Sequence, residues 1–152
     1  MRFTRAREND MGVLIALRLA FLAEEGAVGG EALSALTESL FGFMERSFDK
    51  TLFAYIAWEG EEAIATVFLL INEKPGNLHY PDGRRASIIN VFTRAEFRRR
   101  GAAEALMLMA IAEAKDMGIP FIELKATETG EPLYRKLGFR EDDSFTHMRL
   151  EF

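Results

Sequence analysis

Arg98, Arg99 and Arg100 run into Gly101, Ala102 and Ala103, and then into a long apolar segment. The chemistry this order suits is the holding of an anion. The first backbone N–H groups of a helix have no partner within it, and the macrodipole puts partial positive charge at the same end. A phosphate bound there satisfies both. Gly101 permits a backbone conformation that a Cβ would hinder, and the alanines leave a phosphate room to reach the main chain. Arg94 and the three arginines add a local positive field. A solvated basic turn ahead of a core helix would use the same residues, so charge alone does not decide. Two phosphate motifs are excluded. No Gly-Lys-Ser/Thr follows as in a P-loop, and one glycine is not the three of a dinucleotide-binding fingerprint.

The rest of the chain makes the arginine run stand out. Its 24 acidic against 19 basic residues give a net charge of −5, which argues against a nucleic-acid partner. There is no cysteine, so disulfides, thiolate metal sites and a cysteine nucleophile are all excluded. The 152 residues fit a single domain spanning 1–152, large enough to bury a core. The start "MRFTRAREND" has no apolar signal core, and no run approaches the ~20 apolar residues of a membrane span. The expectation is a cytoplasmic protein with no membrane partner.

Positioning the basic run needs a strand before it and a helix after it. Residues 2–6 have the character of a short strand. Glu8, Asn9 and Asp10 mark a helix start, and Leu14, Leu17, Phe21 and Leu22 recur with helical period up to about residue 25. A second helix is expected over 31–48, with Leu33, Leu36, Leu40, Phe43 and Met44 on one side. Residues 51–58 and 63–71 are β-branched and aromatic about a turn at 59–62, which predicts a hairpin. The Pro-, Gly- and Asn-rich stretch 72–85 is a long loop. A strand at 87–93, a helix at 101–117 stopped by Gly118 and Pro120, and a strand at 121–125 follow. A short helix at 132–137, with Pro132 at its start and Gly138 at its end, precedes strand character at 139 and 144–150. The order β-α-α-β-β-β-α-β-α-β predicts an α/β (α+β) sandwich with a mixed, largely antiparallel central sheet and helices on both faces.

Residues 88–139, "IINVFTRAEFRRRGAAEALMLMAIAEAKDMGIPFIELKATETGEPLYRKLGF", resemble the core of the GNAT superfamily of N-acetyltransferases. That family carries Arg or Gln, two residues, Gly, one residue, then Gly or Ala; Arg98, Gly101 and Ala103 fit it. The preceding strand, the following helix and the "LYRKLGF" ending fall at matching distances. The N-terminal eighty or so residues agree with the family in element order only.

The resemblance implies acetyl-CoA as acyl donor, a primary amine as acceptor, direct attack and no metal. The backbone amides of Arg99 through Glu104, with Arg100, Gly101, Ala102 and Ala103 between them, would hold the pyrophosphate, with Arg98 and its neighbours facing the phosphates. Val91, Phe92 and Thr93 would offer main-chain groups to the pantetheine arm, like an added strand. Tyr134 matches the tyrosine that protonates the departing thiolate, a role for which a phenol of pKa near 10 is suited. For the base, the resemblance points to Glu123; Glu128, His79 and Asp82 are further candidates. Asn90, polar on an apolar strand, either lines the substrate side or bonds to a neighbouring loop. The family's asparagine after the fifth strand is replaced here by Thr127, Glu128 and Thr129. The acceptor side would be built by 24–48 and 72–85, and a small molecule is favoured over a protein N-terminus. Homodimers are common in the family. A non-catalytic acyl-CoA sensor is the competing function.

Overall fold

From Leu52 onward β-branched and aromatic residues dominate. In the computed structural model, which describes residues 1–26 and 29–152, they form the centre of a five-stranded sheet. The strands are β1 (Arg2–Arg5), β2 (Leu52–Glu59), β3 (Glu62–Glu73), β4 (Arg84–Thr93) and β5 (Ile122–Glu123), lying side by side in that order. Pairs β1–β2, β2–β3 and β3–β4 are antiparallel, and β4–β5 is parallel. Helices α1 (Met11–Glu25) and α2 (Gly30–Ser47) precede β2, while α3 (Ala102–Asp116) and α4 (Glu131–Lys136) flank β5 in sequence. Among the described residues, no helix is long and apolar enough to cross a membrane.

Alternation along the strands splits the interior into two cores. Leu52, Ala54, Ile56 and Phe68 face α1 and α2, where Leu14, Leu17 and Met44 are fully buried. Tyr55, Val67, Leu69 and Ile88 face the other way and pack on Leu106, Met107 and Ala110 of α3. The start of α1 shows how local chemistry sets an element: a 3₁₀ turn over Glu8–Asp10 leads in, and the Asp10 carboxylate accepts the Arg7 amide at 2.8 Å.

Two expectations are corrected. The strand expected over 121–125 is only two residues long, and that expected at 139 and 144–150 is absent; residues 140–152 are exposed without sheet pairing. Strand propensity needs an edge to pair with, and a lone strand is not stable by itself.

On the α3 face, the Tyr55 hydroxyl donates to Glu113, whose carboxylate also takes the Arg5 guanidinium at 2.8 and 3.1 Å; Arg5 in turn reaches Asp49 at 2.9 Å. Burial first, then the Glu113 carboxylate, pushes the Tyr55 phenol well above its ordinary pKa. The unfolded chain releases this proton near pH 10 while the folded chain retains it, so stability falls as pH rises past that point. We expect Tyr55→Phe to flatten the alkaline slope of Tm against pH, measured by thermal melts from pH 8 to 11.

Candidate active site

The last stretch of β4 carries a bulge. Phe68 pairs with Ile89 and Thr66 with Phe92, so Asn90 and Val91 together face Val67. Asn90 takes the extra residue at φ 54°, a left-handed conformation that asparagine tolerates better than most. Meanwhile β5 pairs only with Ala86 and Ser87. Beyond them the β4 edge has no strand partner among the described residues through Thr93, which leaves a gap where main-chain groups can meet a ligand. Val91 and Phe92 themselves are packing residues. Val91 joins the α3-side core, and Phe92 meets Phe21 edge-on at 5.5 Å.

After β4 the chain makes a 3₁₀ turn, Ala95–Phe97, and reaches Gly101 at φ 83°, the N-cap of α3. An added Cβ at Gly101 would meet no atom within 4 Å, so glycine is required there for conformation and not for space. The first-turn amides of Ala102, Ala103 and Glu104 have no acceptor within the helix. Ala102 is buried in the core, so its small size serves packing beneath the loop and does not clear a path for phosphate.

The arginines divide. Arg98 donates from Nε to the Thr93 carbonyl at 2.9 Å, and its Nη2 binds both oxygens of Glu24 at 2.5 and 2.7 Å. Arg94 donates to the Ala63 carbonyl at 3.0 Å and stands 3.8 Å from Glu62. Arg100 lies over the Phe97 ring at 5.3 Å. Arg99, at φ 65°, has no hydrogen bond or ion pair among the described residues. The cations available to an anion at the helix start are therefore Arg99 and Arg100. Glu104 accepts Lys136 Nζ at 2.7 Å, tying α3 to α4.

Tyr134 is buried on α4, edge-on to Phe139 at 6.2 Å, and burial raises its pKa. Among the described residues its hydroxyl makes no hydrogen bond. A Cβ at Gly130 would come within 2.8 Å of the Tyr134 ring, so glycine makes the space the ring occupies. α4 itself is closed at Gly138, φ 99°, with the Phe139 amide donating back to the Tyr134 carbonyl at 3.0 Å.

Of the other carboxylates and imidazoles, Glu123 is exposed on β5 opposite Ser87, and Glu128 is exposed in the turn before α4. Thr127 caps that turn, its hydroxyl accepting the Gly130 amide at 3.2 Å. His79 and Asp82 belong to the closed loop between β3 and β4. His79 Nα donates to Asn77, and the neighbouring Tyr80 rests on Phe121 at 4.9 Å. The Phe121 carbonyl accepts the Ala86 amide, four residues before the bulge, or roughly 13 Å at strand rise. The structure thus brings Asn90 and the α3 start to the bulged end of β4 and sets Tyr134 in the α3-side core that Val91 also joins, but leaves His79 and Asp82 at the far end of the strand.

The sequence reading overlooked Arg18. It donates from Nη1 to Asn90 Oδ1 at 3.1 Å, and burial lowers its pKa with Glu25 partly opposing. Asn90 therefore bonds to a helix and not to a loop, and its buried Nδ2 has no partner among the described residues. A signal was present: Arg18 is a lone cation among the helical-period apolar positions Leu14, Leu17 and Phe21. The Glu24–Arg98 pair spans 74 residues and leaves no comparable trace. Residues 27–28 of the expected acceptor-side segment lie outside the described residues.

Comparison with solved structures agrees with this fold. A predicted acetyltransferase from Clostridium acetobutylicum, solved with acetyl-CoA, is 26% identical over 97% of this chain and 95% of its own, with a TM-score of 0.85. A GCN5-related N-acetyltransferase from Ralstonia eutropha is 28% identical over 97% of each chain, with a TM-score of 0.78. An aminoglycoside 6'-N-acetyltransferase from Acinetobacter haemolyticus shares the fold at 18% identity, covering 100% of this chain and 99% of its own, with a TM-score of 0.70. A search of curated proteins finds no match. The acetyltransferase (GNAT) family model matches residues 19–139, so the chain belongs to the GNAT family of acetyltransferases, which transfer acetyl groups from acetyl-CoA.

Proposed function

We propose that the protein is an N-acetyltransferase that acetylates a small primary amine by direct attack. The observation that carries this reading is the pairing of an α3 start flanked by the exposed Arg99 and Arg100 with Tyr134, a buried residue whose hydroxyl makes no hydrogen bond among the described residues. The amides of Ala102, Ala103 and Glu104 and the two cations would hold a pyrophosphate. The free main-chain edge of β4 over Val91, Phe92 and Thr93 would align an extended pantetheine arm. Bound acetyl-CoA supplies the activated acyl group and a thiolate leaving group. Tyr134 would give its phenolic proton to the sulfur as the C–S bond breaks, once the amine nitrogen has bonded the carbonyl carbon. Glu123, exposed on β5 opposite Ser87 and three strand residues (roughly 10 Å) short of the bulge, is the carboxylate we assign to receive the amine's proton, through intervening water. Arg18 and Asn90 stand on the α1 face of the bulge, where the acceptor would approach.

The test is release of free thiol from acetyl-CoA across a panel of primary amines, run beside calorimetric titration of acetyl-CoA alone. Binding without turnover on any amine would return the protein to the alternative of an acyl-CoA sensor.

The division among the arginines makes a further prediction. Replacing both Arg99 and Arg100 by alanine is expected to weaken acetyl-CoA binding by about tenfold or more at low salt, as charge-assisted contacts to phosphate would. The difference should shrink as added salt screens the exposed charges. Arg98→Ala should cost less, because that guanidinium is already held by Glu24 and Thr93.

A further inference from the structure

Helix α1 carries a single basic residue, Arg18, and the fold half-buries it. Its guanidinium lies 5.7 Å from the centre of the Phe21 ring, and Phe21 meets Phe92 of β4 edge-on. Arg5, Arg94, Arg98, Arg135 and Arg149 each reach a carboxylate, at 2.5 to 3.8 Å. Arg18 reaches none among the described residues, and Glu25 acts on it only through space. Its one side-chain acceptor there is Asn90 Oδ1, which leaves most of its five N–H donors uncommitted. A cation drawn out of water without a counter-charge is costly, and a ligand that brings the counter-charge offsets that cost.

The support behind Arg18 is rigid. Arginine only donates, so Oδ1 of Asn90 must face it, and Nδ2 points away, buried and without a partner among the described residues. Asn90 is 7% exposed and held at φ 54° in the bulge. Such strained, half-satisfied residues cluster at ligand sites. The place in the strand is also informative. Asn90 directly precedes Val91, Phe92 and Thr93, the edge that would align the pantetheine arm. An arm running back from the α3 start along Thr93 and Phe92 brings its acyl end to the bulge, one strand residue (~3.3 Å) from Asn90.

We propose that Arg18 recognises a carboxylate on the acceptor and that the acceptor is an amino acid, its amine a few carbons from that carboxylate. This rests on the acetyl-transfer reading and names its substrate class. Asn90 is a positioning residue that holds one edge of the guanidinium. The planar fork of arginine matches a carboxylate with two parallel hydrogen bonds. The charge balance selects a monoanion. Glu24 already holds Arg98, and Glu25 stands near Arg18, so one uncommitted cation faces the acceptor and suits one negative charge better than the near-double charge of a phosphate.

The common amino acids, β-alanine and γ-aminobutyrate would each be assayed beside the corresponding primary amide by thiol release from acetyl-CoA. At least one acid should exceed its amide in kcat/KM by about tenfold or more, chiefly through KM, as a charge-assisted contact would give. Arg18→Gln should lower that acid-to-amide ratio by about tenfold or more, and Arg18→Lys by less. Asn90→Gly, which keeps the left-handed backbone and removes the amide, should also lower it. Amides that match or exceed their acids in the wild type overturn the proposal. So does an Arg18→Gln variant in which acid and amide lose rate alike, the mark of a residue that only supports the bulge. No turnover on any amine would sink the transferase reading and leave this one to calorimetry, with the same acids and amides titrated into protein saturated with CoA. An acid bound more tightly than its amide, with the difference lost in Arg18→Gln, upholds the carboxylate site, and no such acid overturns it.

Discussion

Tyr134→Phe is expected to lower kcat by about 10²-fold or more while leaving acetyl-CoA affinity nearly unchanged, the range found for loss of a positioned proton donor. Phenylalanine keeps the ring, its edge-on contact with Phe139 and its place against Gly130, so packing is preserved and only the hydroxyl is lost. A Tyr134 that merely fills the core would give a variant of wild-type rate. The pH dependence adds a second signature. Burial raises the phenol's pKa, so the residue keeps its proton past the pH at which a free phenol, near 10, begins to ionise. Wild-type kcat should therefore hold into the alkaline range, and the variant's small residual rate should rise with leaving groups that need no proton. Stopped-flow or thiol-release assays from pH 6 to 10, with acetyl-CoA and an activated aryl thioester, measure both.

Gly101→Val should have the largest effect on cofactor binding, raising the acetyl-CoA dissociation constant by at least tenfold by calorimetry. At φ 83° an L-residue carries a penalty of about 1–2 kcal/mol, and a β-branched one is the least tolerant. No neighbour lies within 4 Å of the added Cβ, so the cost cannot come from a clash. The strain is relieved only if the residue leaves the left-handed region, which re-aims the first amides of α3 away from a common point. Gly101→Asn, whose side chain tolerates that region, should keep most of the affinity. Equal losses in both variants would mean that the open space above the loop, and not its backbone conformation, is what a ligand needs.

The helices and long strands were legible in the sequence because each carries its own evidence. Hydrophobic period over α1, β-branched and aromatic runs over β2 and β3, and stop signals such as Gly118 with Pro120 after α3 do not depend on distant residues. The run from Arg98 to Ala103 was also legible as the start of a glycine-capped helix, since strand, glycine and helix follow one another directly in the chain. Tyr134 was legible only through its motif, because a tyrosine on a short helix is otherwise an ordinary packing residue.

The tertiary structure decided which of these residues are available. Four arginines near one helix start look equivalent in sequence. In the fold, Glu24 and the Thr93 and Ala63 carbonyls engage Arg98 and Arg94, while Arg99 and Arg100 remain at the surface. Partners 31 and 74 residues away cannot be read from local pattern. The same holds for Arg18 with Asn90, and for His79 and Asp82, which sequence proximity to β4 suggested and the β3–β4 loop carries to its far end. The C-terminal segment marks the boundary most sharply. Its alternation specifies a strand, but a strand is completed by the edge it meets, and that edge is never written in the strand itself.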